Sequence, residues 1–438
     1  MRLAKETADL SLPSADRYRQ IRARTVSLAA PLSPEDAVVQ SMGDVSPTKW
    51  HLAHTTWFFE TFLLRPHVPD YLELHPHYNY LFNSYYEAVG PRHERGARGL
   101  LTRPTLEEVR RYREHVDRHV VELLDGLQPE RADLSTLAPV LELGLQHEQQ
   151  HQELILTDIK HVFAGNPMRP AYHAPEVRPL RKLGRMSWVP HPGGLLSVGH
   201  EGEGFAFDNE GPRHQVWLDP FELASRLVTN GEYLAFMDDG GYTRPELWLA
   251  DGWAVAQAQG WTAPLYWERQ DGPGRRGPER TSGRWWQMTL SGMRELAYDE
   301  PVCHLSFYEG DAYARWAGSR LPREEEWEAA AATLPVEGNF AENGRLHPAP
   351  PRGRAVTGLH QMFGDVWEWT ASPYVGYPGF RAAGGALGEY NGKFMCNQMV
   401  LRGGSCVSPA AHVRATYRNF FPPSARWQFT GLRLAREA

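Results

Sequence analysis

The stretch Leu145-Gln-His-Glu-Gln-Gln-His-Gln-Glu-Leu-Ile-Leu156 places His147 and His151 four residues apart. In a helix that spacing sets both imidazoles on one face, one turn from each other. No Gly or Pro interrupts the run between Gly144 and the break at Gly165-Asn166-Pro167, so the pattern predicts a helix long enough to hold both rings over an interior. A helix offers a metal two ligands in this way. The alternative is a pair of solvated histidines on a polar face.

His147-Glu148-Gln149-Gln150-His151 also spells H-E-x-x-H, in which zinc proteases use the Glu as general base. A metzincin needs Gly and His at the third and sixth positions after the second His. Leu154 and Thr157 stand there. A Glu as third ligand belongs on a following helix, but Glu176 lies in the Pro-rich segment that starts at Pro167. The protease reading is therefore the weaker one.

The remainder of the chain narrows the class. Its 438 residues suggest two to three domains, and 42% hydrophobic with 11% aromatic residues supplies packed cores. A net charge of −7 with no long basic run argues against a nucleic-acid partner. The first residues have no apolar signal-peptide core, and no stretch approaches the ~18 apolar residues of a membrane span. A cytoplasmic protein without a membrane partner is expected. Cys303, Cys396 and Cys406 are too few and too scattered for a disulfide framework or a C-x-x-C site. They read as small buried or partly buried thiols.

Composition changes between about residues 165 and 190. Upstream, helix starts recur at Ser14, at Ser33-Pro34-Glu35-Asp36, at Ser46-Pro47 and in the capping box Thr105-Leu-Glu-Glu108. With the His-bearing helix they predict a four- or five-helix bundle. Bundles build metal sites from facing helices, so a third ligand should come from another helix. Trp50-His51-Leu-Ala-His54 offers two candidates, either or both of which could face inward. His54 lies among Trp50, Trp57 and Phe58, and an unliganded interior His is costly unless hydrogen-bonded. Downstream come short β-like runs, many Gly and most of the Trp, with helical stretches at Tyr308–Ala317 and after Pro322. This half reads as α+β without an internal repeat.

Five segments in this downstream half, Phe307-Tyr-Glu-Gly-Asp-Ala-Tyr-Ala-Arg-Trp316, Arg320-Leu-Pro-Arg-Glu-Glu-Glu-Trp-Glu328, Gly364-Asp-Val-Trp-Glu-Trp369, Leu401-Arg-Gly-Gly-Ser405 and Gly431-Leu-Arg-Leu-Ala435, resemble in order the formylglycine-generating-enzyme domain, which has a C-type-lectin-like fold. Generators of formylglycine carry two copper-binding cysteines shortly after Arg-Gly-Gly-Ser. Ser408 and Val413 stand at those places, so that activity is not expected from the fold alone. A bundle resembling the DinB-like superfamily, fused ahead of such a domain, resembles the ergothioneine-pathway sulfoxide synthases from about Asp16 to Leu434. The implied architecture is α+β with two domains: a DinB-like four-helix bundle over 10–168 carrying the metal site, a linker over 169–190, and the formylglycine-generating-enzyme-like domain over 191–438.

The resemblance implies a mononuclear non-haem iron enzyme that uses O2 as co-substrate to join a thiol to C2 of the imidazole of hercynine, the trimethylbetaine of histidine, as a sulfoxide. The family's Leu-Ala-His helix and His-x-x-x-His map onto His54, His147 and His151, making His51 the weaker ligand candidate. Neutral imidazoles suit Fe(II), but three histidines hold zinc equally well, so iron is what the resemblance implies. Arg92 and Arg95 resemble the clamp for the sulfur donor's carboxylate, a task for forked guanidinium donors. Tyr85 and Tyr86 resemble a pair from which a tyrosine supplies a proton or hydrogen atom during oxygen transfer, with Tyr86 the first candidate. Gln150 stands where the family contacts the hercynine imidazole.

Asn419 and Phe420 resemble residues of the betaine pocket, where an aromatic face suits a quaternary ammonium. Phe421 stands where branches using γ-glutamylcysteine carry an Asp, which favours free cysteine as donor. The active site is expected between the two domains. Each of these residues also has a plain reading as loop, interface or core packing. Rival readings are a selenoneine-type synthase using a selenosugar, an ovothiol-type enzyme acting on histidine, whose usual methyltransferase domain does not fit in 438 residues, a zinc hydrolase, and a non-catalytic betaine-binding module. All partners are small molecules. A structural Ca2+ in the second domain and the oligomeric state are left open by the sequence.

Overall fold

The computed structural model describes residues 14–128, 133–174, 183–202, 204–270, 284–351, 358–382 and 384–438. It divides into two compact units. One contains the chain up to Val162 together with Glu201–Phe207 and Gly384–Tyr390, and the other contains the remainder.

Four long helices make the first unit. Helix α1, Ala15–Ala29, starts where Ser14 Oγ accepts the Arg17 N–H. Helix α2, Thr48–Phe59, is buried on every side, its polar Lys49, His51, His54, Thr55 and Thr56 included. Helix α3, Leu106–Asp125, begins at the predicted capping box of Thr105 and Glu108. Helix α4, Leu134–Gly165, carries the histidine pair and runs through both Pro139 and Gly144. Gly144 is needed there, because a Cβ would come within 2.5 Å of the Phe59 ring. The start expected at Ser33 yields only the 3-10 turn Asp36–Val38, because Ser33 and Asp36 bond each other's backbone N–H and Val39 then turns extended. Among the described residues no helix is long and apolar enough to cross a membrane.

The second unit is the α+β body expected from the composition. Its central four-stranded sheet runs in the order Asn419–Phe421, Met399–Arg402, Trp367–Pro373 and Thr430–Gly431. The last pair is parallel and the others antiparallel. Smaller sheets and the helices Phe307–Trp316 and Glu324–Ala331 surround it. Trp327, Phe340, Met362, Phe363 and Val413 form one core cluster.

The recognisable motifs supply buried ion pairs to this body. Arg402 of Leu-Arg-Gly-Gly-Ser bonds Glu324 at 2.8 Å, and Arg433 of Gly-Leu-Arg-Leu-Ala bonds Glu368 at 2.9 Å. Arg426 bonds Glu309 at 2.8 Å. Buried charge survives only when paired, and removing one partner strands the other. These motif residues therefore hold the fold together. Val413 belongs to the core, and buried Ser408 accepts the Ser405 N–H, so neither position offers copper a thiolate. Cys303 and Cys406 are buried as expected, whereas Cys396 is exposed.

Candidate metal centre

His54 on α2 and His147 and His151 on α4 converge, with their ligand atoms all within 4.8 Å of one another. Among the described residues this is the group of His, Cys, Asp or Glu side chains placed to hold an ion. The rings are 1%, 2% and 7% exposed, and burial is the leading cause that keeps each neutral. It holds His54 and His151 well below the usual value and, against the pull of Glu148, brings His147 to about 3. Neutral imidazole is the ligand form.

Ring orientation fits the same use. His54 Nδ1 lies 2.6 Å from the Phe82 carbonyl and donates to it, which leaves Nε2 as the free lone pair. Trp50 stacks on His54 at 4.5 Å and Trp57 at 5.5 Å, so the ring is clamped from both faces. His147 Nδ1 is buried with no hydrogen-bond partner. Three neutral nitrogen donors without a counter-charge suit a borderline divalent transition metal. His51 is buried beside them, but its Nδ1 contacts His151 Nδ1 at 2.8 Å and its Nε2 contacts Asp158 at 3.0 Å. Both its nitrogens are engaged, and it is not part of the convergent group.

Glu148 argues against the H-E-x-x-H protease reading. It points away from the histidines into the bundle, where Arg22 reaches one oxygen at 2.8 Å and Arg113 the other at 2.9 Å. Burial alone raises a carboxyl pKa, but these two charges outweigh it and bring Glu148 to about 2. A carboxylate with both oxygens locked in ion pairs cannot take a proton from water. Glu176, set aside above as a third zinc ligand, lies outside the described residues.

Tyr86 is fully buried, stacked on Tyr85 at 4.7 Å and packed on Trp57 and Phe62. Burial, followed by Tyr85 and Tyr390, raises its pKa well above 10. The phenol therefore keeps its proton. Tyr85 is half-buried, with Tyr390 at 6.3 Å.

Tyr390 is a residue that sequence reasoning missed. Its ring stands edge-on to His147 at 5.8 Å and stacks on Phe207 at 5.4 Å, and its hydroxyl donates to Gln150 Oε1. Glu389 fixes this segment by accepting the N–H groups of Glu87 and Ala88. Gln150 and Tyr390 are 240 positions apart, and no local motif announces the contact.

Arg92 and Arg95 are exposed: Arg92 pairs with Glu87, and Arg95 donates to the Asp44 carbonyl. The inward-facing arginine is Arg98, also missed by the sequence reading. Its guanidinium lies 3.4 Å over the Trp50 ring and donates to Ser46 and Ser84. Its Nε is buried without a partner, and among the described residues no carboxylate forms an ion pair with it. Burial, then Arg95 and Arg92, disfavours its charge. The i, i+3 spacing of Arg95 and Arg98 was the available signal, because the Arg95–Leu100 segment is a 3-10 helix.

In the second unit, Asn419, Phe420 and Phe421 form one half-buried strand. Asn419 Oδ1 accepts the Phe420 N–H, the Phe420 ring stacks on Tyr374 at 4.0 Å, and Phe421 stands edge-on to Trp427 at 5.9 Å. As for a structural Ca2+, the acids of Gly364–Trp369 are engaged internally. Glu368 pairs with Arg433, while Asp365 accepts from Asn339, Gln361 and the Ala349 N–H.

Comparison with known proteins gives the same division. Residues 17–155 match the DinB superfamily, and residues 173–351 and 340–438 match the sulfatase-modifying factor enzyme 1-like domain. A hercynine oxygenase of Mycobacterium tuberculosis is 35% identical, with 94% of this chain and 96% of that protein covered. One from Mycolicibacterium thermoresistibile is 34% identical, covering 92% and 90%. A formylglycine-generating enzyme of Streptomyces coelicolor is 30% identical over 63% of this chain and 96% of its own length.

Proposed function

The chain belongs to the hercynine oxygenase family, and from that premise we propose that it is an iron(II)- and O2-dependent oxidoreductase that joins hercynine to a thiol. The observation that carries the reading is the buried, neutral histidine trio His54, His147 and His151. In the balanced reaction the C2–H bond of hercynine and the S–H bond of the donor break, and a C–S bond forms. One atom of O2 stays on sulfur as the sulfoxide, and the other leaves as water with the two hydrogens. His54, His147 and His151 would hold the iron, which would supply the redox chemistry between O2 and the thiol.

The chain's own groups have separable tasks. Gln150, held by the Tyr390 hydroxyl, presents its amide to the hercynine imidazole. Arg92 and Arg95 take the donor's carboxylate, with the unpaired charge of Arg98 behind them. Phe420 offers its face to the trimethylammonium and Asn419 a polar contact to the betaine. A phenol keeps the reaction on the sulfoxide path by delivering a proton or hydrogen atom, since iron, O2 and a thiol can also give the sulfinic acid. Tyr86 is the first candidate because burial keeps the proton on its phenol; Tyr85 and Tyr390 follow.

Phe421 in place of an acid makes cysteine the donor. The ammonium of γ-glutamylcysteine would be buried without a counter-charge at a cost of about 1–3 kcal/mol. The test is aerobic incubation of Fe(II)-loaded protein with hercynine and, separately, cysteine, γ-glutamylcysteine or a selenosugar, with products weighed by mass spectrometry. Hercynyl-cysteine sulfoxide as the main product supports the reading. A clear preference for γ-glutamylcysteine contradicts the donor assignment, a selenium product replaces it, and no hercynine-dependent O2 uptake overturns the function.

A further inference from the structure

We infer that Asp158 and His51 form a relay that selects which nitrogen of His151 is free to bind metal. This deepens the reading of His54, His147 and His151 as ligands and rests on it. Asp158, about two turns beyond His151 on α4, is 3% exposed. Its Oδ2 accepts the Ser46 N–H at 2.8 Å and faces His51 Nε2 at 3.0 Å. A carboxylate only accepts, so it holds the proton of His51 on Nε2. His51 Nδ1 then carries a lone pair and stands 2.8 Å from His151 Nδ1. For that contact to be a hydrogen bond, His151 must carry its proton on Nδ1. Its remaining lone pair is left on Nε2, the only nitrogen available to an ion.

Without the relay both tautomers of His151 are open, and one of them blocks the ligand atom. A chain of contacts also runs from this carboxylate toward His54. Ser46, pinned through its N–H to Asp158, accepts from Arg98, and Arg98 covers Trp50, which stacks on His54. His51 and Asp158 are positioning residues. Groups hydrogen-bonded behind metal-binding histidines typically change affinity by about 10- to 100-fold when removed.

The test is Co(II) binding to the full chain, titrated against a competing chelator and followed by the visible absorption of the bound ion. Circular dichroism melting serves as the fold control. His51→Phe is expected to weaken Co(II) by about 10- to 100-fold and to change the band shape in the folded protein, with a lowered melting temperature because buried Asp158 loses a partner. His51→Gln is expected to stay within about threefold of the parent, because its Oε1 can accept from His151 and its Nε2 can donate to Asp158. Should His51→Phe fail to fold, Asp158→Ala carries the same expectation of weakened binding. Parent affinity and spectrum in the folded His51→Phe or Asp158→Ala protein overturn the relay. Equal weakening by Phe and Gln also overturns it, because shape alone would then matter. A parent chain that binds no Co(II) instead overturns the ligand reading on which the relay rests.

Discussion

Two regions of the molecule bury polar groups in opposite ways. In the second unit, fully buried guanidiniums meet carboxylates: Arg433 with Glu368, and Arg402 and Arg418 with Glu324. In the bundle, His54, His147 and His151 are just as buried, yet they face one another as neutral rings with no carboxylate between them. The first arrangement is complete in itself and specifies a fold. The second leaves lone pairs pointing at a shared space, a cost the fold does not require and a ligand removes. Within α4 the contrast recurs between adjacent residues. Glu148 is saturated by Arg22 and Arg113, while His147 keeps a nitrogen without a partner.

The comparison predicts that changes in the two regions separate function from stability. Replacing His54, His147 or His151 with Ala should lower metal affinity by more than about 100-fold and abolish turnover, because a ligand contributes more than the groups behind it. The melting temperature of the metal-free protein should change little. Metal content after desalting and O2 uptake read the first effect, and calorimetry the second. Loss of folding in all three variants would erase the distinction between the regions.

Glu368→Ala should behave in the reverse sense. It strands Arg433 in the core, at a cost of about 3–5 kcal/mol in denaturant unfolding, with the metal affinity of the folded fraction unchanged. A smaller stability effect belongs to Asp365, whose pKa burial raises to about 6 from 3.8. The folded state holds this proton more tightly than the unfolded state, so stability falls as pH rises between these values and is flat above them. A shift of about two units corresponds to about 3 kcal/mol. Asp365→Asn lacks this ionisation, so unfolding measured from pH 4 to 7 should show the parent losing about that much relative to the variant. Parallel profiles would refute the assignment.

The smallest expected effect concerns product partition. Tyr86→Phe, alone or with Tyr85→Phe, should keep metal and substrate binding while shifting product from sulfoxide toward cysteine sulfinic acid by a few-fold, within the usual contribution of a positioned proton donor. Tyr390→Phe tests the alternative phenol and should also loosen Gln150. The ratio at equal O2 consumption decides among them. Parent ratios in all variants would make the tyrosines packing residues.

Local chemistry made much of the molecule readable in the chain. The i, i+4 histidines, the Ser14 and Thr105 caps and the paired motif residues of the second unit each act within a turn of helix or carry an ordered signature. What escaped depends on long-range assembly. Tyr390 reaches Gln150 across 240 residues, Asp158 reaches His51 across 107, and Arg98 turns inward because Trp50 lies beneath it. Ser33 carried a genuine helix-start signal that was spent on a single turn.

Anomalous diffraction at the iron edge, from crystals prepared anaerobically with Fe(II), tests the central claim most directly. One peak bounded by His54 Nε2, His151 Nε2 and a ring nitrogen of His147, and absent in His147→Ala, is the predicted result. A peak elsewhere, or one that persists without His147, would contradict the assignment of the buried histidines as the iron site.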